Sequence, residues 1–387
     1  LPDDNKIMNL FWVVGESSGD RHSALLIESL RHSASGWTHA GMCGSAMSGA
    51  GCEVVVDLSE ASLMGLIEVI RHIPRMLRLR NRLVEEIRKR NPELVVLVDF
   101  PDFNLSLLSK LRKEFGNKIK ILYFISPQVW AWRKNRAKRM AKMLDAMAVL
   151  FPFEVDLYKR HGLETVFFGH PFAGEVKPSE NADALRKKFG TGSSQEIVTI
   201  MPGSRTDEIE RHLPVQLQAV ALLREKHPEI KALIVKANTV DNKLLEPYLA
   251  DVKWAQIVDC MAIDALSICH VALIKSGTST VEAAFSGIPF VVIYKVSGLT
   301  FWIAKRLVRG VKNIAMVNVL AGYEVVPERI QEQATPKQLA EDIERLWQGK
   351  RRDEAVKGLE NVKDLLGEPG AMDRLAVWIV KKFGTAS

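Results

Sequence analysis

Leu94-Val95-Val96-Leu97-Val98-Asp99-Phe100-Pro101 sets five apolar residues directly before a carboxylate, with a proline two places on. No polar residue alternates with the apolar ones, so a strand here is buried on both faces, as in a parallel sheet covered by helices. The same pattern recurs on either side. Residues 7–14 form an apolar run that opens into Gly15-Glu16-Ser17-Ser18-Gly19-Asp20 and a helix-period stretch over 23–31. Residues 119–125 and 146–150 read as further strands. A second series runs through 196–200, 231–235, 271–274 and 290–293. Strands alternating with helices in this way predict an α/β doubly wound architecture. The stretch from Gly169-His170-Pro171-Phe172 to Glu180, rich in Gly, Pro and charge, reads as a linker, so the two series predict two domains.

Composition agrees. The 387 residues are 47% apolar and 26% charged, an ordinary globular balance whose length favours two domains over one. Cys43, Cys52, Cys260 and Cys269 show no CxxC spacing, and the nine histidines form no HxxxH or HExxH pattern. A zinc module, a disulfide scaffold and a metal site are therefore not expected, and a reducing cytosol suits the thiols. No run of roughly 18 apolar residues offers a membrane span, and residues 7–14 lead into a glycine-rich turn rather than a signal-peptide cleavage site. Lys and Arg outnumber Asp and Glu 53 to 46. That excess asks for an anionic partner: nucleic acid, a membrane surface or a phosphorylated substrate.

Ligands of open α/β sheets bind at the carboxyl ends of the strands, where helix N-termini favour anions. Four polar loops fall there: 15–20, 99–104, 203–205 and 276–280. Neither GxGxxG nor GxxxxGK[ST] occurs, so dinucleotide and P-loop readings lose support. Arg205 follows Gly203-Ser204, where its planar fork suits a diphosphate; its alternative is a surface arginine at a helix start. Asp99, emerging from a buried strand, is placed to have its pKa raised as a general base requires. Asp102 suits a helix cap better, and Asp20 is open to both readings. Glu282 stands one turn beyond Thr278-Ser279, as a ribose ligand or a capping-box acid.

The positive charge is clustered. Arg71, Arg75, Arg78, Arg80, Arg82, Arg88, Lys89 and Arg90 share a segment with Glu85 and Glu86, interleaved with Leu66, Val69, Ile70, Ile73 and Met76. This resembles an interfacial membrane helix, against the alternative of a core helix with a charged outer face. Arg133, Lys134, Arg136, Lys138, Arg139 and Lys142 follow Trp130 and Trp132, and residues 299–309 again mix aromatics with bases. With no nucleic-acid module visible, anionic phospholipid is the expected surface partner and nucleic acid is not.

Several segments together resemble the lipid-A-disaccharide synthase family: Gly15-Glu16-Ser17-Ser18-Gly19-Asp20, Met64-Gly65, Asp99-Phe100-Pro101-Asp102-Phe103-Asn104, Ser126-Pro127-Gln128-Val129-Trp130-Ala131-Trp132-Arg133, Phe151-Pro152-Phe153-Glu154, Gly169-His170-Pro171, Pro202-Gly203-Ser204-Arg205, Ser276-Gly277-Thr278 and Asn318-Val319-Leu320-Ala321-Gly322. The matches keep their order over nearly the whole chain. The resemblance implies an inverting GT-B glycosyltransferase, two Rossmann-like doubly wound domains facing a cleft, at the cytoplasmic face of the Gram-negative inner membrane. It implies that UDP-2,3-diacylglucosamine and 2,3-diacylglucosamine 1-phosphate are joined by a β-1,6 bond, with no cofactor or metal required. The domains are then an acceptor and membrane domain over 1–172, a UDP-sugar domain over 173–350, and helices of 351–387 packing back toward the first. Asp99 and Arg205 take the places of the family's essential aspartate and arginine. Gly277, Thr278, Glu282 and Asn318 fall on its UDP site, with Ser17, Gly19, Ser204 and Ser279 expected beside them. Leu66, Val69, Ile70, Arg71, Ile73, Arg75, Met76 and Arg78 are expected to meet acyl chains and membrane; a homodimer is left open. Met201 replaces the usual Leu before Pro-Gly-Ser-Arg, and Val317 stands where Pro commonly precedes the asparagine. Two rival classes are another GT-B enzyme of UDP-sugars, such as an epimerase, and a non-catalytic nucleic-acid binder.

Overall fold

The computed structural model describes residues 7–62, 69–127, 135–174, 176–237, 240–298, 301–302, 306 and 313–384. It divides into two units, one up to Pro171 and resuming at Leu366, the other Phe172–Leu365.

The first unit holds β1 (Asn9–Val14), β2 (Thr38–Cys43), β3 (Glu53–Asp57), β4 (Leu94–Val98), β5 (Lys120–Phe124), β6 (Ala146–Ala148) and β7 (Thr165–Val166). Their order is β3-β2-β1-β4-β5-β6-β7, with parallel pairing throughout. All five residues of β4 are buried, as the continuous apolar run requires. The chain winds outward from β1 to β3 and then returns to start the other half at β4, so the winding reverses between β1 and β4.

The second unit repeats the plan with β8 (Ile197–Met201), β9 (Lys231–Val235), β10 (Ala255–Val258), β11 (Val271–Lys275), β12 (Phe290–Tyr294) and β13 (Glu328–Ile330). The order is β10-β9-β8-β11-β12-β13, also parallel, and the winding reverses between β8 and β11. All four polar loops therefore leave the strands that flank the two reversal points.

One domain limit needs correction. The helix Lys350–Leu365 does not return to the first unit; it buries Ala355, Leu359 and Val362 within the second, and Gly358 leaves room for Val325. The return begins at Leu366, where Gly367 and Gly370 take positive φ. A Cβ on Gly367 would stand 2.9 Å from the Gly169 Cα, so two backbones cross there as only glycine permits. The Leu366 carbonyl accepts from the His170 N–H at 2.7 Å. The helix Ala371–Phe383 then packs on Ser17–Ser33, where Ser29 Oγ donates to Asp373 Oδ1 at 2.7 Å.

Leu97 is fully buried at the centre of β4. Leu97→Ala is expected to lower stability by about 2–5 kcal/mol, read as a shift in urea midpoint at unchanged slope.

Candidate active site

β4 ends in a strained turn. Asp99 and Phe100, neither of them glycine, have φ of 42° and 49°, and Pro101 opens the helix Pro101–Phe115. Left-handed backbone costs an L-residue roughly 1–2 kcal/mol, so something must hold it. Tyr123 Oη and Asn104 Nδ2 both donate to the Asp99 carbonyl, the latter at 2.9 Å, and the Asp99 N–H reaches the Phe124 carbonyl at 3.2 Å. The Phe100 ring lies over Gly15, where a Cβ would come within 2.0 Å of it. Gly19 in turn lets Ser17–Ser33 approach Val14 and Val98. The two loops of this reversal point are thus packed into one piece. Burial, and then the charge of Glu16, push the Asp99 carboxyl up to about 7, against the pull of the Phe100 N–H.

Asp20 is settled as structural: its carboxylate accepts from the Gly44 and Ala46 N–H groups at 2.7 and 3.0 Å. Asp102 makes no cap, since Phe100 holds the N-cap position; it pairs with Arg136. His170 is buried against His22 and Phe151, and burial pushes both histidines down, His22 to about 3, so they are neutral. A second acid escaped the sequence reading. Glu154 is buried, accepts from Ser126 Oγ at 2.5 Å and Phe151 N–H at 3.3 Å, and is pushed up to about 8 by burial. Its only signal was the Phe151-Pro152-Phe153-Glu154 motif.

In the second unit the loops leave adjacent strands, with Met201 opposite Ile274. Gly203 (φ 132°) has no room for a side chain, because Glu208 would stand 2.7 Å or less from its Cβ. Glu208 accepts from the Ser204 N–H at 3.0 Å and pairs with Lys275 at 2.7 Å. Burial pushes that carboxyl up, but Lys275, the Ser204 N–H and Arg205 bring it below its ordinary value. This ion pair ties the 203–205 turn to the end of β11. Lys275, like Asp99, closes a buried apolar strand, a signal that could have found it. Arg205 is exposed at the start of the helix Thr206–Arg224 and its side chain makes no cap bond. Thr278 is the N-cap of Ser279–Ser286 without a side-chain cap bond, and Ser279 Oγ donates to the Lys275 carbonyl, so no capping box forms. Glu282 is buried in that helix's first turn.

Two expectations change. Asn318 is not open to a ligand: its Nδ2 donates to the Val326 carbonyl and Glu328, and its Oδ1 accepts from the Val325 and Val326 N–H groups, all within 3.0 Å. Those four bonds exhaust its capacity, so it holds the 325–328 loop. In the helix Val69–Arg90, Met76 packs on the core beside Leu79, Leu83 and Ile87, while Ile73, Leu77 and Arg78 are exposed and Arg75 is half-buried. Arg82, Lys89 and Arg90 pair with Glu60, Glu86 and Glu53, and Arg88 with Glu85 and Glu114, so that half of the helix is a solvated ion-pair face. Leu66, residues 128–134, and the side chains of Val69, Ile70 and Arg71 lie outside the described residues.

A lipid-A-disaccharide synthetase family model matches residues 10–374. The chain belongs to the lipid-A-disaccharide synthetase family. It is 40% identical over 367 residues to the lipid-A-disaccharide synthase of Anaeromyxobacter dehalogenans, covering 94% of each chain. Its fold is similar to that of a putative UDP-N-acetylglucosamine 2-epimerase from Listeria monocytogenes, with TM-score 0.67 at 11% identity, covering 99% of this chain and 98% of that one. It is likewise similar to the glycotransferase of kitacinnamycin, with TM-score 0.65 at 14% identity, covering 98% and 100%. This member of the lipid-A-disaccharide synthetase family is a glycosyltransferase of lipid A biosynthesis, built from two GT-B-type α/β units.

The raised Asp99 pKa carries a sign. An acid whose folded pKa exceeds its unfolded value near 4 adds stability at low pH that is lost as pH rises through about 7. Asp99→Asn in this family member should therefore melt higher than wild type at pH 8, with the difference closing toward pH 4. Equal melting temperatures throughout would mean that the carboxyl is not perturbed.

Proposed function

We propose that this enzyme transfers the diacylglucosaminyl group of UDP-2,3-diacylglucosamine to the 6-hydroxyl of 2,3-diacylglucosamine 1-phosphate. Asp99 takes the hydroxyl proton as the oxygen bonds to the donor's anomeric carbon, and the carbon–diphosphate bond breaks on the opposite face, inverting the centre. UDP leaves, and a β-1,6-linked disaccharide 1-phosphate remains. The observation that carries the reading is the carboxyl of Asp99, held by a strained turn at a reversal point and pushed up to about 7, where a general base works best.

In this reading the second unit receives the leaving diphosphate. Arg205 and the backbone N–H groups of 277–279 meet the growing negative charge, and the Glu208–Lys275 pair keeps the turn in place beforehand. Glu282 accepts from the ribose hydroxyls. Among the described residues no helix is long and apolar enough to cross a membrane. In this reading the helix Val69–Arg90, with Ile73 and Leu77 exposed, meets the lipid surface at the cytoplasmic face of the inner membrane.

Incubation with both lipid substrates should yield a tetraacyl disaccharide by mass and one UDP per product. UDP release without an acylated acceptor would point to a different reaction. Arg205→Ala should lower turnover by about a hundredfold or more with unchanged melting, since a lost donor to a developing anion costs roughly 3 kcal/mol. Near-normal turnover would remove Arg205 from the mechanism.

A further inference from the structure

Beside the helix Pro101–Phe115 lies a cavity of about 460 Å³ that the proposed reaction does not use. Arg80, Lys110, Lys113, Arg136 and Arg139 line it; Arg136 pairs with Asp102 and Lys110 with Glu114, which leaves three cations. Asp102, Ser106, Ser109, Lys110 and Lys113 recur at helical spacing and form one wall. Arg80 comes from Val69–Arg90 and Arg136 and Arg139 from Asn135–Ala141.

Two of the guanidinium groups are anchored without being neutralised. Arg80 Nη1 donates to Ser106 Oγ at 2.8 Å and Arg139 Nη2 to Ser109 Oγ at 2.9 Å. Among the described residues no carboxylate lies in ion-pair range of Arg80, Lys113 or Arg139, although Arg82, Arg88 and Arg90 on the neighbouring turns all have one. The Arg80 Nε is buried with no hydrogen-bond partner. Gathering like charges in a concave site costs stability unless an anion completes it, and two pre-set guanidinium forks match tetrahedral phosphate oxygens.

The apolar neighbour of this site suggests where its phosphate comes from. Ile73, Leu77 and Arg80 follow one another at i, i+4 and i+7 on one helix, so two exposed apolar side chains lead to the cavity's rim. We infer that the cavity binds a phosphate ester, the headgroup of an anionic phospholipid whose acyl chains lie over Ile73 and Leu77. The lipid source rests on the membrane partner of the proposed function; the phosphate site stands on these residues alone.

The test uses the full chain and two variants that lose equal charge. Arg80→Gln/Lys113→Gln/Arg139→Gln empties the cavity of three cations and keeps the Arg136–Asp102 pair. Lys187→Gln/Lys188→Gln/Lys350→Gln removes three exposed cations elsewhere. Sedimentation with phosphatidylcholine vesicles, with and without phosphatidylglycerol, should show the first variant losing on the order of a hundredfold in phosphatidylglycerol-dependent binding, and the second little. Titration with inorganic phosphate covers the other source: phosphate binding by wild type that the first variant lacks, at unchanged vesicle binding, assigns the site to free phosphate. Equal losses in both variants, or a wild type that binds neither, overturns the inference. Should the triple variant fail to melt cooperatively, Lys113→Gln alone, at an exposed side chain, carries the same comparison. Disaccharide formation by wild type in detergent is scored separately, so a failed reaction and a failed phosphate site give different results.

Discussion

Two consecutive left-handed residues, Asp99 and Phe100, are the constraint on which the first unit's chemistry depends. β4 cannot slide to relieve them, because all five of its residues are buried between β1 and β5. The strain is held by Tyr123 and Asn104 on the Asp99 carbonyl and by the Phe100 ring against a glycine that has no room for a methyl group. The consequence is electrostatic. The fixed backbone keeps the carboxyl where burial raises its pKa to about 7, the range in which a base both holds and accepts a proton near neutrality.

The second unit repeats this winding with one strand fewer. Its reversal point presents cations and backbone N–H groups in place of a raised carboxylate, and the half-buried Glu208–Lys275 pair locks the turn to the neighbouring strand. Preorganisation of this kind matters where charge develops, because donors already in place need no rearrangement during reaction. In the proposed reaction, one topology, repeated, offers a base in one copy and an anion site in the other.

The strands with continuous apolar runs were legible in the sequence, β4 most plainly, and so were the loops that follow them. β2, Thr-His-Ala-Gly-Met-Cys, was not, because most of its residues are small or polar and its burial comes from pairing with β1; nor was β3, whose apolar run is three valines long at the sheet edge, where only Val56 is buried. Asp99 was found as a buried-strand terminus, yet its positive φ was not, since no glycine marks it. The role of Asn318 depended on main-chain atoms of 325 and 326, and the neutralisation of Arg82, Arg88 and Arg90 on Glu60, Glu114 and Glu53; partners distant along the chain leave no local pattern. The sequence alone places residues 351–365 with the returning helices, because the decisive feature is the Gly169–Gly367 crossing, which only the fold creates.

The most direct test of Asp99 as the base is the pH dependence of kcat/KM for disaccharide formation. A base at Asp99 requires a single-proton rise with its midpoint near pH 7, and its disappearance in Asp99→Asn with any residual activity flat in pH. A wild-type profile that is flat from pH 5 to 8, or an Asp99→Asn profile that keeps the rise, would contradict it.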